Sequence, residues 1–250
     1  MADQLLSSNA DTVTGAVEVS DSPADCGKPD AANQDPFYGN AKDYWAGIPA
    51  TVDGMLGGFS HISSTDVAGS TKFLRRFVSG AGAKTSKNRA LDCGAGIGRV
   101  TKMLLLPLFK CVDMVELTQS LLDEAPKYLG EDNAKRVERF ICSGLQDFSP
   151  EPNRYDVIWS QWVLGHLTDE DLVEFFKRCK VGLTPNGLIC VKENIAPTDE
   201  AEFDEKDSSW CRGRGALAQI FEAAGLKIVR EEKQKHFPKS IYEVRIFALQ

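Results

Sequence analysis

The feature that most constrains the fold is an alternation, from Arg89 onward, of short apolar segments with segments of helical periodicity. Such alternation is typical of βαβ units, in which helices connect neighbouring strands of a parallel sheet. We predict strands at residues 89–93, 111–116, 139–143, 155–160, 188–192, 227–232 and 243–249, and helices at residues 99–106, 119–129, 169–181 and 215–224. The segment 233–242 is too short for a helical crossover, so the last two strands are expected to form an antiparallel hairpin at the sheet edge.

Two helical patterns precede this region, at residues 37–46 and 63–77. Ser64 and Asp66 offer capping groups for the second helix. These patterns predict a helical lid, residues 37–80, ahead of the main part of a domain that spans residues 37–250. Residues 1–36 carry seven acidic side chains against one lysine and no aromatic residue, so they are predicted to form a disordered acidic tail.

The charge distribution excludes some classes of partner. The net charge is -7, of which the segment 1–36 supplies -6, so the remaining chain is nearly neutral and has no basic stripe for nucleic acid. The sequence has no apolar run of about 18 residues and no basic segment followed by an apolar stretch at its start, so we expect no membrane span and an intracellular protein. The seven cysteines form no C-x-x-C pair, so no metal site is predicted.

A glycine-rich turn marks the candidate binding site. Residues 90–99 read ALDCGAGIGR, with Gly94 and Gly96 between the first predicted strand and the helix predicted at residues 99–106. Alternate glycines let the backbone approach a ligand closely. The spacing differs from the G-x-G-x-x-G turn that binds a pyrophosphate, and Glu116 ends the second strand, where its carboxylate could hold a ribose diol.

This arrangement resembles the class I S-adenosylmethionine-dependent methyltransferases. The resemblance implies an α/β, Rossmann-like fold with a seven-stranded, mostly parallel sheet and helices on both faces. It also implies that the glycine turn lies against the methionine part of S-adenosylmethionine and that Glu116 binds the ribose. Arg99 would bind the methionine carboxylate, because a cation in the first turn of a helix is not favoured by the helix dipole. The other expected cofactor contacts are Leu117, Thr118, Leu145, Gln146 and Gln161.

Segments that the fold does not require narrow the resemblance. They are Ile48-Pro49, residues 51–58, residues 104–109, residues 144–148, Trp162 with residues 165–168, and residues 207–209. In these segments the chain resembles the eukaryotic α-N-terminal protein methyltransferases, which act on X-Pro-Lys/Arg N termini. The resemblance implies methylation of the free α-amino group after removal of the initiator Met, in the nucleus and cytoplasm. In that family the ribose acid is usually Asp, whereas this chain has Glu116.

The chemistry of such a substrate agrees with the sequence. Residues 199–207 carry six acidic side chains against Lys206, just past the fifth strand. Ligands of open α/β sheets bind beyond the carboxyl ends of the strands, so this acidic loop should border the site and attract a cationic peptide. An α-amine has a pKa of about 7.7 to 8, against about 10.4 for lysine, so one base could remove its proton near neutral pH.

The family resemblance implies the roles of the remaining site residues. Asp207 and His166 are the candidate bases, although His166 could instead be a packing residue. Asn194 would hold the first substrate carbonyl, or could cap a loop. Aromatic and polar side chains expected to bind the peptide are Tyr44, Trp45, Trp162, Asp204, Ser209 and Tyr242.

Two other functions stay open at this point. The protein could methylate lysine side chains or a small-molecule amine, or it could be a catalytically idle S-adenosylmethionine-binding regulatory partner. The idle partner is disfavoured because the chain retains the residues expected for binding and catalysis, namely the glycine turn, Arg99, Glu116, Asn194, His166 and Asp207. We expect protein substrates, no direct nucleic-acid contact, and a monomer or a weak dimer.

Overall fold

The computed structural model of the protein describes residues 36–80 and 82–250, so the predicted tail, apart from Pro36, lies outside the described residues. A seven-stranded sheet forms its centre, and a two-stranded hairpin lies beside it. The strands are β1 (Arg89–Cys93), β2 (Cys111–Glu116), β3 (Val137–Cys142), β4 (Tyr155–Gln161), β5 (Leu183–Ile195), β6 (Glu202–Asp204), β7 (Ser209–Cys211), β8 (Ile228–Lys233) and β9 (Glu243–Leu249).

The strand order of the large sheet is β3-β2-β1-β4-β5-β9-β8. Its strands are parallel except for β9, which is antiparallel to both β5 and β8. The predicted α/β fold with a seven-stranded, mostly parallel sheet and a terminal antiparallel pair is therefore confirmed.

Helices cover both faces of this sheet. They are α1 (Pro36–Ala46), α2 (Val52–Met55), α3 (Ser63–Val78), α4 (Gln119–Leu129), α5 (Glu131–Ala134), α6 (Asp169–Gly182) and α7 (Arg214–Ala223). Because side chains alternate across a strand, β4 sends Ile158 to the core beneath α6 and α7, and Val157 and Trp159 to the core beneath α3 and α4.

Helix α6 shows how the sequence specifies these elements. The Thr168 side chain caps its start by accepting a hydrogen bond from the Asp171 backbone N–H, and three acidic residues occupy the first turn. Both features stabilise the positive end of the helix. Leu172, Phe175 and Phe176 recur at helical spacing and are fully buried against the sheet.

Several elements differ from the sequence prediction, among them the short helices α2 and α5, which were not predicted. The helix expected at residues 99–106 contains a π-helical turn, Thr101–Leu105, in which the Leu106 N–H donates to the Thr101 carbonyl. Strand β5 extends beyond the predicted residues 188–192 at both ends, because Leu183 pairs with Tyr155 and Ile195 pairs with Glu243. The acidic loop past this strand contains the hairpin β6–β7.

The predicted lid consists of two different parts. In α3, Phe73 and Leu74 are fully buried, so this helix packs on the sheet as part of the core. In α1, by contrast, Ala41 is the buried residue, and the helix lies at the carboxyl end of the sheet. The role of these helices as a lid stays a prediction. Within residues 36–80 and 82–250, the structure contains no helix with the length and apolar character needed to cross a membrane.

Candidate cofactor and substrate site

A cavity of about 960 Å³, including its open mouth, lies where β1, β2, β3 and β4 end. All residues of the predicted cofactor site line it, namely Gly94, Gly96, Arg99, Glu116, Leu117, Thr118, Leu145, Gln146 and Gln161. The parallel strands therefore bring the predicted cofactor contacts together, as expected for ligands at the carboxyl edge of such a sheet.

The glycine turn forms one wall of the cavity in a conformation that requires glycine. Gly94 and Gly96 have φ angles of 68° and 54°. A Cβ atom on Gly94 would lie 2.4 Å from Val163, and one on Gly96 would lie 2.5 Å from the Met55 Sδ. The turn is thus packed from both sides, by the segment after β4 and by α2, and its backbone faces the cavity.

Glu116 forms the opposite side of the turn. Its Oε2 accepts a hydrogen bond from the Gly96 N–H at 2.9 Å, and its Oε1 accepts one from the Thr118 N–H at 2.9 Å. Burial raises the pKa of this carboxyl, while the backbone donors act in the opposite direction. The glutamate reaches the glycine turn directly, so its carboxylate is fixed in the wall and keeps free lone pairs for hydroxyl groups.

One buried polar atom in the same wall indicates a polar ligand. The Trp162 Nε1 has no hydrogen-bond partner among the described residues, and Trp162 lines the cavity. An unpaired buried polar group costs about 1–3 kcal/mol, which a ligand that pairs with it would recover. Together with the glycine turn and Glu116, this atom fits a ligand with ribose hydroxyls and an amino-acid moiety.

Arg99 and Gln161 share a partner that the sequence analysis did not assign. The Arg99 Nη1 donates to the Asp66 Oδ2 at 2.8 Å, and the Gln161 Nε2 donates to both carboxylate oxygens at 2.9 and 3.0 Å. The prediction that the Asp66 side chain caps α3 is wrong, because this side chain is 1% exposed and points into the protein. An acid in a first helical turn normally indicates a cap, so the sequence contains no signal for this burial.

His166 lies in the cavity between two hydrogen-bond partners. The Trp45 Nε1 donates to the His166 Nε2 at 3.0 Å, and the His166 Nδ1 lies 3.3 Å from the Ser208 carbonyl oxygen. A neutral imidazole with its proton on Nδ1 satisfies both contacts. Burial lowers the pKa of His166, and the Asp207 charge partly opposes this shift. The neutral ring therefore carries its lone pair at Nε2, where it accepts the hydrogen bond from Trp45.

The cavity collects three of the residues predicted to act on the substrate, namely Trp45, Trp162 and His166. The others lie outside its walls. The Asp207 carboxylate accepts a hydrogen bond from the Ser209 hydroxyl at 2.7 Å, and the Asp204 carboxylate accepts one from the Lys206 backbone N–H at 2.9 Å. Both carboxylates belong to the segment around the hairpin β6–β7, next to the wall that holds His166.

The other predicted substrate residues are more dispersed. Asn194 is exposed near the end of β5, opposite Val244. Tyr44 packs edge-on against Trp45 on α1. The Tyr242 hydroxyl donates to the Glu202 carboxylate at 2.6 Å, and Tyr242 lines a second, wider cavity. The substrate roles of these residues stay predictions.

Tyr38 is a cavity residue that the sequence analysis missed. Its hydroxyl contacts the Asp171 carboxylate and accepts a hydrogen bond from the Thr168 N–H at 3.2 Å, and burial raises its pKa to about 12. Tyr38, Ala41 and Trp45 all line the cavity, and their spacing places them on one face of α1. The helical spacing of these three residues was the sequence signal that could have identified Tyr38 as a cavity residue.

Comparisons with known proteins agree with this geometry. The sequence model of the family described as "AdoMet dependent proline di-methyltransferase" matches residues 33–250. The chain belongs to this family. As a member of it, the protein is an S-adenosylmethionine-dependent methyltransferase, and the cavity at the glycine turn is its candidate cofactor site.

Named proteins resemble this family member over most of their length. N-terminal Xaa-Pro-Lys N-methyltransferase 1-B of Xenopus laevis is 56% identical over 213 residues, which cover 85% of this chain and 95% of the relative. N-terminal Xaa-Pro-Lys N-methyltransferase 1 of Danio rerio is 55% identical over 217 residues, with coverages of 87% and 96%.

Solved structures of methyltransferases share the fold. A SAM-dependent methyltransferase of Leishmania major superposes with a TM-score of 0.79 at 38% identity, covering 86% of this chain and 83% of that one. The glycopeptide N-methyltransferase MtfA in complex with S-adenosylmethionine has a TM-score of 0.56 at 14% identity, with coverages of 74% and 86%. At that identity the second match supports the fold alone.

Proposed function

We propose that this methyltransferase modifies the free α-amino group of protein N termini that carry X-Pro-Lys or X-Pro-Arg after removal of the initiator Met. The observation that carries the proposal is that His166, Trp45 and Trp162 line the same cavity as the glycine turn and Glu116. A proton acceptor and aromatic walls therefore lie beside the groups that would hold the methyl donor. The relatives that are 55–56% identical carry Xaa-Pro-Lys N-methyltransferase names, which supports the choice of amine.

The side chains of the cavity can prepare an amine for methyl transfer. S-adenosylmethionine, when bound, supplies a methyl group on its sulfonium. Neutral His166 accepts the ammonium proton at Nε2 once the hydrogen bond from the Trp45 N–H to that nitrogen is broken. An α-amine has a pKa of about 7.7 to 8, against about 10.4 for lysine, so removing its proton costs less than removing that of a lysine side chain. The walls formed by Ala41, Leu167 and Trp162 exclude water and orient the amine, which should supply most of the rate.

The acidic segment after β5 supports a cationic substrate. Asp204 and Asp207 belong to the hairpin region whose Ser208 carbonyl contacts His166. A peptide whose amine is in the cavity would extend past this region, and a basic third side chain would meet these carboxylates. Proline at the second position would lie against the aromatic walls, because it presents an apolar ring and no backbone N–H.

The rival functions make different predictions for one experiment. The protein is incubated with labelled S-adenosylmethionine and a peptide that begins Ser-Pro-Lys, beside the same peptide with an acetylated N terminus. We expect label on the free peptide only. Equal labelling of both peptides would identify the lysine side chain as the acceptor. No labelling of either peptide, with cofactor binding intact, would identify a catalytically idle partner.

We also propose that the protein acts in the nucleus and cytoplasm as a monomer or a weak dimer. Fractionation of cells that express the tagged chain checks the first part. Sedimentation at micromolar concentration checks the second, since a stable dimer would persist on dilution.

A further inference from the structure

A buried ionic cluster lies behind the cofactor cavity. Lys192, on β5, is fully buried, and its Nζ donates to the Asp66 carboxylate, to the Ser70 hydroxyl at 2.9 Å and to the Gln234 side-chain oxygen at 2.8 Å. Burial would raise the pKa of Asp66, but the charges of Lys192 and Arg99 outweigh it and hold that pKa below its usual range. Asp66 is therefore an ionised acid with two cationic partners.

The same carboxylate fixes two side chains that line the cofactor cavity. Arg99 comes from the helix after the glycine turn, and Gln161 comes from the end of β4. Both donate to Asp66, at 2.8 to 3.0 Å. The Gln161 side-chain oxygen also accepts a hydrogen bond from the Trp159 Nε1 at 3.1 Å, so the orientation of its amide is determined.

We propose that Asp66 is a positioning residue that holds Arg99 and Gln161 against the amino-acid part of the cofactor, and that Lys192 holds Asp66 in place. The proposal rests on the cofactor part of the proposed function and is independent of which amine is methylated. It explains why α3 carries an acid that points into the protein. It also explains why a lysine is buried in the central sheet, where charge is costly unless paired.

The arrangement has a clear physical advantage. A guanidinium has five N–H donors, so Arg99 can donate to Asp66 and still offer donors to a ligand carboxylate. A free arginine would adopt many rotamers, and ordering them would reduce the affinity for the cofactor. With Asp66 as its partner, the side chain is ordered before the cofactor arrives.

The test compares two ligands that differ only in the amino-acid part. S-adenosylhomocysteine carries it, and 5′-methylthioadenosine has the same adenosine and thioether without it. Calorimetry should show that Asp66→Asn weakens S-adenosylhomocysteine binding by about tenfold, the usual effect of losing a charged hydrogen-bond partner. The dissociation constant of 5′-methylthioadenosine should change less than twofold.

Asp113 provides a matched control. This acid on β2 is also fully buried, and it accepts hydrogen bonds from the Arg154 Nε and the Tyr155 hydroxyl, both at 2.9 Å, away from the cavity. Asp113→Asn should reduce thermal stability and leave both dissociation constants unchanged. If Asp66→Asn does not fold, the double variant Asp66→Leu with Lys192→Met removes both charges together and is measured in its place.

Each outcome decides the proposal. Equal weakening of both ligands by the Asp66 variant would show a merely structural role, and unchanged binding of both would show no role; either result overturns the proposal. Failure of the unchanged protein to bind S-adenosylhomocysteine would instead contradict the proposed function. Selective weakening of S-adenosylhomocysteine supports Asp66 as the positioning residue.

Discussion

At the scale of single residues, the glycine turn gives a direct test of the cavity. Gly96 has a φ of 54° and a Cβ there would displace the Met55 side chain, whereas Gly57 has a φ of 56° and nothing within 4 Å of the added atom. Gly57→Ala should therefore cost only the backbone penalty, about 1–2 kcal/mol of unfolding free energy. Gly96→Ala should cost more and should also raise the dissociation constant of S-adenosylhomocysteine. Denaturant unfolding and calorimetry measure both, and equal effects at the two sites would contradict this packing.

His166 gives a test of the proposed base. His166→Gln should lower kcat for the Ser-Pro-Lys peptide by about 10²-fold or more, because it removes the group that accepts the ammonium proton. The dissociation constant of S-adenosylhomocysteine should stay within twofold, since the glycine turn and Glu116 are untouched. Steady-state kinetics and calorimetry separate the two effects. A loss confined to the KM of the peptide would reduce His166 to a binding residue.

Residues inside a local motif were predictable from the sequence, whereas residues joined by tertiary contacts were not. Gly94, Gly96 and Glu116 lie at the ends of strands that meet at one edge of the sheet, so strand assignment alone places them together. Asp66 is 33 residues from Arg99 in sequence and 126 from Lys192. Its partners depend on how α3 packs, and a single sequence contains no local signal of that packing.

At the scale of elements, strand β5 holds the segment that carries His166. The Glu193 carboxylate accepts hydrogen bonds from the Val163 and Leu164 backbone N–H groups, both at 3.0 Å. Burial raises the pKa of Glu193 to about 7, in spite of these donors. The carboxyl is thus protonated more readily in the folded chain than in the unfolded one, so its contribution to stability is lost as the pH rises from about 4.5 to about 7.

Glu193→Gln should therefore change the pH dependence of stability. The amide keeps an acceptor for both N–H groups and cannot ionise. Between pH 4.5 and pH 7, the unfolding free energy of the unchanged protein should fall by about 2 kcal/mol relative to that of the variant. This value is smaller than the full pKa shift would give, because Glu193 is partly exposed and solvent screens its charge. Urea unfolding across this pH range measures the difference. A difference that does not vary with pH would contradict the raised pKa.

Elements with strong periodicity were predicted within a few residues, and elements that depend on pairing were not. Helix α6 has a capping threonine and a regular apolar face, so its bounds follow from the chain itself. The hairpin β6–β7 has exposed or partly exposed strands and an acidic composition, which favours a loop by local preference. Phe203 and Trp210 pair across it with ring centroids 4.7 Å apart. That cross-strand contact stabilises the hairpin, and only the folded chain reveals it.

At the scale of the whole molecule, the net charge of -7 and the acidic segment after β5 should attract a cationic peptide. The value of kcat/KM for the Ser-Pro-Lys peptide should fall several-fold between about 0.01 and about 0.1 M salt, as the Debye length shortens from about 30 Å to about 10 Å. A peptide with Gln at the third position should show a weaker dependence, because it has one positive charge fewer.

Two triple variants that have the same net charge can separate the effect of where the charges lie from the effect of the total charge. One neutralises Glu200, Asp204 and Glu205, in the segment beside the site, as amides. The other neutralises Glu124, Glu131 and Asp132, which are exposed on α4 and α5. The first should lower kcat/KM at low salt and flatten the salt dependence, because the field near the cavity mouth is lost. The second should change neither, and equal effects of the two variants would assign the attraction to the overall charge alone.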